Sequence, residues 1–450
     1  MNSMDRVISM KPEGRIPYTV GEIAASTRNA LVGGPFGSNL VSADYVDSGV
    51  PVIRGQNMGF GRWVMGDFVF VSPEKAESLS ANIAKPGDLM FTQRGTLGQV
   101  AIVPEGHYDK YVVSQSQMKL TVDCAKANTL FLYYYFTSKE QQEYIKSNSI
   151  QTGVPHTNLG ILRDTKLLLP PLPEQRVIAR ILGSIDDKIE ANHAMNETLE
   201  DMARAVFKSW FVDFDPVSAR VKGRAPEGMD EEMAALFPDG FEASLIGEIP
   251  RGWHVRPMGE VVKVLGGGTP STKEPTYWDG GTHPFCTPKD MSLLTSSVLL
   301  NTERYLTNEG VAKVSSGRLP SGTVLMSSRA PVGYLAIAEI PVSVNQGIIA
   351  MVCNLELPNL YVLHWLQANM EKIIANANGS TFLEISKQNF RPINVLVPPP
   401  PVLEQFCIVV KPLYRQLVNN VKQSHDLRVT CDILLPLLIP GKIQMRRSDV

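Results

Sequence analysis

The sequence predicts an α/β (α+β) chain of two pseudo-repeated domains with small mixed or antiparallel sheets, separated by two long helices that form an antiparallel coiled coil. Three observations lead there. A chain of 450 residues exceeds what one ordinary core organises. The punctuation "LPPLPEQRVIARIL" at 169–182 returns as "VPPPPVLEQFCIVV" at 397–410, a period of about 230 residues and therefore of domain size rather than solenoid size. After each proline step, apolar residues recur at alternating spacings of three and four.

The repeat extends upstream of the prolines. "DYVDSGVPVIRGQNM" (Asp44–Met58) matches "TYWDGGTHPFCTPKDM" (Thr276–Met291), and "KPGDLMFTQRGTLGQVAIV" (Lys85–Val103) matches "LPSGTVLMSSRAPVGYLAIA" (Leu319–Ala338). The second pair shares a turn, a strand, an arginine (Arg94, Arg329), a glycine four residues on (Gly98, Gly333) and another strand. Short β-branched runs separated by Gly, Pro and Asn predict irregular, mostly antiparallel sheets rather than a doubly wound one. Helical patterns come late in each copy, in "NTLFLYYYFTSKEQQEYIKSN" and "NLYVLHWLQANMEKIIANAN", followed by Gly153 and Gly379, as helix ends often are.

Each long helix starts at prolines, Pro173 in one case and the run 398–401 in the other. The first seam reads Ile178, Leu182, Ile185, Ile189, Asn192, Asn196, Leu199, Ala203, Val206, Trp210, and the second Phe406, Val410, Leu413, Leu417, Asn420, Ser424, Leu427, Cys431, Leu434, Leu438. Such alternation indicates a coiled-coil seam, although ordinary amphipathic core helices would share it. In an antiparallel pair Asn192 and Asn196 face Asn420 and Ser424, a polar layer able to fix register. Pro412 and Pro436 are expected to kink or end the second helix.

Composition narrows the function. Hydrophobic residues make up 44% and charged residues 20%, a globular balance. No apolar run reaches the ~18–20 residues of a membrane span, and "MNSMDRVISMKPEGR" lacks the apolar core of a secretion signal; a cytoplasmic protein is expected. The five cysteines lack C-x-x-C spacing and the seven histidines form no ligand cluster, so reduced thiols and no structural zinc are expected. The net charge of −2 conceals a gradient: residues 171–250 hold 8 basic and 16 acidic side chains, leaving both flanks mildly basic. The acidic positions Asp186, Asp187, Glu190, Glu197, Glu200 and Asp201 form a solvated or a partner-docking face.

No G-x-x-x-x-G-K-[ST] exists for ATP, and Pro170–Pro171 sits between Leu169 and Leu172, without the polar residue that a methyltransferase motif offers a flipped base. Asp213 and Asp215 in "FVDFDPV" lack a partner Lys or His motif for nuclease chemistry.

Six motifs in order carry a family resemblance: "GGPFGSNL" (Gly33–Leu40), "LPPLPEQRVIARILGSIDDKIEAN" (Leu169–Asn192), "FKSWFVDFDPVSAR" (Phe207–Arg220), "LFPDGF" with "GEIPRGWHVRPMGEVV" (Gly247–Val262), "GGGTPST" (Gly266–Thr272) and the tail "LLPLLIPGKIQM". Over essentially its whole length the chain resembles the specificity subunit of Type I restriction–modification systems. The resemblance implies target-recognition domains at 1–170 and 247–400, a spacer arm at 171–215, a linker at 216–246 and a second arm at 401–450. Each domain would read half of a split double-stranded DNA target. The arms would dock two methyltransferase subunits in a complex with restriction/translocase subunits. S-adenosylmethionine, ATP and Mg²⁺ would belong to those partners, and this chain would be non-catalytic. A helix of about 36 residues is ~54 Å long, so half-sites roughly one to one and a half DNA turns apart are expected. The alternatives are an orphan or methylation-only subunit, or a duplicated interaction scaffold without DNA.

Base reading needs Arg or Lys for guanine and Asn or Gln for adenine, with others on phosphates. The first domain supplies Arg54, Gln56, Asn57, Gln93 and Arg94 in turns, and the second Lys273, Lys289, Asp290, Ser328 and Arg329. Arg94 and Arg329 occupy matching places in domains that read different sequences, so a phosphate contact or a buried structural role competes with base reading. The glycine-bounded loops 33–38 and 266–271 are expected to bring backbone N–H groups near phosphates.

Overall fold

The computed structural model describes residues 14–59, 61–150, 156–379 and 383–443; Gly153 lies outside them. The chain divides into two compact units, residues 1–188 with 426–450, and residues 189–425.

Both units are built on one plan. In the first, Ile16–Thr19 pairs antiparallel with Lys166–Leu169. In the second, His254–Pro257 pairs with Asn394–Val397 in the same way. Beyond this clasp the first unit has an antiparallel sheet in the order Leu31–Gly33, Gln117–Leu120, Leu89–Thr92, Val100–Ile102. Its counterpart runs Lys263–Gly266, Ile348–Val352, Thr323–Ser328, Val332–Ala338, with Val298–Leu299 added in parallel. A second small sheet in each unit contains one parallel pair, Val50–Ile53 with Tyr111–Val113 and His283–Cys286 with Ser343–Val344. The sheets are thus mixed. The central strands are buried on both faces, so Lys119, enclosed in one of them, needs its partner Asp88 at 3.1 Å.

Each late helical pattern resolves into two helices, Thr129–Thr137 with Lys139–Ser147 and Asn359–Ala368 with Met370–Ala375. Asn128 caps the first by accepting from Phe131 N–H at 2.9 Å. Their apolar residues cover the central sheets; Phe91 and Phe136 meet edge to face at 5.0 Å. In the second unit His364 lies in the aromatic core against Phe207 and Phe406. Burial holds its imidazole down to about 4, so it is a neutral core group.

The two long helices are α1 (Leu172–Phe211, 40 residues) and α2 (Pro400–Leu438, 39 residues), each ~60 Å at ~1.5 Å per residue. They pack antiparallel. Each unit contains one end of each helix: Ile178 and Leu182 share a core with Leu438 in the first, Phe207 and Trp210 with Phe406 and Val410 in the second. All twenty seam positions are buried or half-buried. Of the two expected effects, a kink or an end, Pro412 does not end α2, which continues through it, and the helix stops at Leu438, two residues beyond Pro436. Pro412 faces solvent, as does Ile408 one turn before it, so water can satisfy the carbonyl that the missing N–H leaves free.

In the second unit Asn192 Nδ2 donates to Ser424 Oγ at 3.2 Å and Gln423 Oε1 at 3.0 Å, and Asn420 Nδ2 donates to Asn196 Oδ1 at 2.9 Å. Asn192, Asn196, Asn420 and Ser424 are all buried. A slip along the seam would orphan these groups at about 1–3 kcal/mol each, so the layer selects one register.

The acidic stretch of α1 is not one free face. In the first unit Tyr134 Oη donates to Asp186 at 2.6 Å and Arg62 pairs with Asp187. In the second, Glu200 accepts from the N–H and hydroxyl of Ser297 at 2.8 and 2.6 Å. Asp213 pairs with Lys208, and Asp215 opens the helix Asp215–Val221. Among the described residues no group of three or more His, Cys, Asp or Glu is placed to hold a metal ion, and no helix is long and apolar enough to cross a membrane.

Candidate nucleic-acid interface

In each unit four turns converge at one edge of the sheets. In the first unit the organising segment is Ser114–Gln117, between two buried strands. Ser116 O accepts from Gln93 N–H at 2.7 Å and Arg94 N–H at 3.3 Å. Ser114 N–H donates to Ile53 O at 3.1 Å, beside Arg54, and Gly34 N–H donates to Gln117 O at 2.9 Å. Gly34 must be glycine, because a Cβ there would stand 1.9 Å from Ser114 O.

The second unit repeats the arrangement around Val344–Gly347. Ser328 N–H donates to Gly347 O at 2.8 Å, Asn345 N–H to Cys286 O at 3.1 Å, and Gly268 N–H to Val344 O at 3.2 Å. A Cβ on Gly267 would lie 1.6 Å from Val344 O. One on Gly347 would meet Pro288 at 2.9 Å and Arg329 Nε at 3.3 Å, so the Lys289 and Arg329 turns are neighbours. Glycine here permits close backbone approach in both copies.

The candidates differ in what they offer a ligand. Arg94 and Gln56 are exposed; Gln93 and Arg54 are half-buried. Gln56 Nε2 donates to Asp67 O at 3.1 Å, and Arg54 Nε is buried without an acceptor. Lys273 projects from the 266–272 loop and is exposed. Arg329 is partly exposed, with Nη1 3.7 Å from Glu384. The exposure of Arg94 removes the buried structural role for it.

Three candidates are turned to other work. Asn57 is fully buried: its Oδ1 accepts from Arg54 N–H at 3.0 Å, and its Nδ2 donates to Asp67 O at 2.9 Å and Met65 O at 3.3 Å. It builds the turn and has no face for a base. Asp290 does the same in the second copy, accepting from Thr287 N–H at 2.8 Å and Glu303 N–H at 2.7 Å. Ser328 is buried, its strand bonded on both sides, with its hydroxyl enclosed. Lys289 stays exposed, but its ammonium pairs with Glu303 at 2.7 Å, which weakens its pull on an anion.

Sequence reasoning missed Gln115 and Gln346, which occupy the same place in the two central turns. Gln115 Nε2 donates to the carbonyls of Leu40, at 3.2 Å, and Gly37. Gln346 Oε1 accepts from Thr269 Oγ1 at 2.7 Å. The recurrence of "VSQ" and "VNQ" after an aliphatic strand was the available signal. Lys387, whose side chain covers Gly266, was also missed.

The family model of the Type I restriction modification DNA specificity domain matches residues 41–201 and 250–424. The Type I restriction enzyme MjaIX specificity subunit of Methanocaldococcus jannaschii is 25% identical over 380 residues, covering 83% of this chain and 82% of that one. The HindI specificity subunit of Haemophilus influenzae is 27% identical over 404 residues, covering 80% and 87%. The crystal structure of a Type I S subunit from M. genitalium shares the fold, with a TM-score of 0.54 at 17% identity over 96% of this chain and 98% of that one. With three quarters of its length matched in two tandem regions, the chain belongs to the Type I restriction modification DNA specificity family and is a non-catalytic specificity subunit.

Proposed function

We propose that this subunit reads an asymmetric, bipartite double-stranded DNA sequence. Target-recognition domains at 1–170 and 247–400 each take one half, and the linker 216–246 joins them. The arms at 171–215 and 401–450 set the spacing of the half-sites and dock two methyltransferase subunits, to which restriction/translocase subunits add. S-adenosylmethionine, ATP and Mg²⁺ act on those partners, in the cytoplasm. One observation carries the reading: the same four-turn edge is built twice, yet equivalent positions hold different side chains, such as Gln93 against Ser328 and Gln56 against Lys289. A shared scaffold with unlike tips suits two reading heads for unlike half-sites.

The test uses the subunit with its methyltransferase partners. Arg94→Ala and Arg329→Ala are each expected to weaken retention of target DNA about 10-fold. For a phosphate contact the slope of log K against log salt falls by about 1. For a base contact the slope holds and one position of one half-site becomes permissive. Unchanged retention by the double variant would favour an interaction scaffold.

A further inference from the structure

Phe36 is 89% exposed, and no large apolar side chain among the described residues is more so. It stands at the tip of the Gly33–Ser38 loop, and that loop is held at both ends. At its base Gly33 O accepts from Asn82 Nδ2 at 2.7 Å, Gly34 N–H donates to Gln117 O, and Gly34 lies against Ser114. At its tip Asn39 N–H donates to Phe36 O at 3.2 Å, and Gln115 holds the Gly37 and Leu40 carbonyls. Gly37 has φ +56°, a left-handed conformation that turns the chain sharply behind the ring. The bracing holds the benzyl group in one place at the surface, so little ordering is left to be lost when it makes a contact.

The neighbourhood identifies that contact. The turn that braces Phe36, Ser114–Gln117, is the one from which Gln93 and Arg94 hang. Gly33 lies against the Gln93 side chain. An amide, a guanidinium and a projecting aromatic ring therefore share one edge. The second unit differs. Two residues beyond its pinned Gly267, where the first unit has Phe36, stands Thr269, with its hydroxyl on Gln346. The same glutamine position braces the loop backbone in one copy and receives a loop side chain in the other.

We propose that Phe36 is an apolar wedge that enters a base step in the half-site read by the first unit, partly unstacking it, while Arg94 holds the adjacent phosphates. Resting on the DNA-reading function above, this assigns one half-site a dependence on step deformability that the other lacks. Pyrimidine–purine steps, the easiest to open, are the class it would prefer.

The experiment places 2-aminopurine in turn at each position of both half-sites, in a duplex carrying the mapped target, and adds the subunit with its methyltransferase partners. Wild type is expected to raise the fluorescence at one step of one half-site only. Phe36→Ala abolishes that rise and weakens binding about 10-fold or more, with the salt slope unchanged because no phosphate contact is lost. Phe36→Leu, which keeps an apolar wedge, restores part of both. Equal fluorescence and affinity for Phe36→Ala would overturn the wedge while leaving DNA reading intact. So would loss of the methyltransferase on purification, which would make Phe36 a protein contact. If the wild-type complex fails to retain the duplex, the DNA-reading function itself falls, and the wedge with it.

Discussion

Exchanging residues 20–165 for the matching segment of another specificity subunit is expected to change one half of the methylated target and leave the other half and the gap as they were. The cut points follow from the clasp. Val20 N–H donates to Thr165 O at 3.0 Å, where the Ile16–Thr19 and Lys166–Leu169 pair opens into the rest of the unit. The two ends of the exchanged segment thus already meet. The second unit has the equivalent junction, Met258 N–H to Ile393 O at 2.9 Å, so the reciprocal exchange can be made there. Success needs an incoming segment whose apolar residues suit Ile178, Leu182 and Leu438, which close the core of the first unit. Mapping modified bases in a host carrying the chimera reads the outcome. A change in both halves would refute independent reading heads.

Inserting one heptad into both α1 and α2 is expected to lengthen the gap between half-sites by about 3 base pairs, since seven helical residues add ~10.5 Å against ~3.4 Å per base pair. Seven is the right number because it restores the seam to the same face. An insertion into α1 alone moves Asn192 and Asn196 out of line with Ser424 and Asn420. The buried amides then lose their partners at about 1–3 kcal/mol each, and the expected result is loss of the assembled complex rather than a new spacing. Methylation mapping distinguishes the cases, and an unchanged gap with both helices extended would mean that they are not the ruler.

The long helices were legible because their signal is local. Steps of three and four residues place Ile178 through Trp210 on one stripe whatever the rest of the chain does. Pro412 was less legible: proline removes one hydrogen bond and crowds the carbonyl four residues back, and whether the helix continues past it depends on its outward facing, which is a tertiary fact. Strand order was less legible. The parallel pairing of Val52 with Val112 joins segments far apart in sequence, with no turn between them to announce it.

The interface was half legible. The duplication pointed to turns that the structure brings together at one edge in each unit, but Asn57 and Asp290 carry side chains that suit a base and a turn equally well. An Asx-type turn and a ligand contact use the same atoms, and only the burial of Asn57 decides between them. Phe36 was hidden differently. It lay within a quoted loop, where a single phenylalanine reads as core until its exposure is known.

The central claim, that one chain reads a split DNA target in two halves, is tested most directly by a modified-base map of the host genome with and without this gene. Deletion is expected to remove adenine methylation from a single motif of two unlike halves separated by several unspecified base pairs. Loss of methylation from a short continuous motif, or no change in the presence of an active partner methyltransferase, would contradict it.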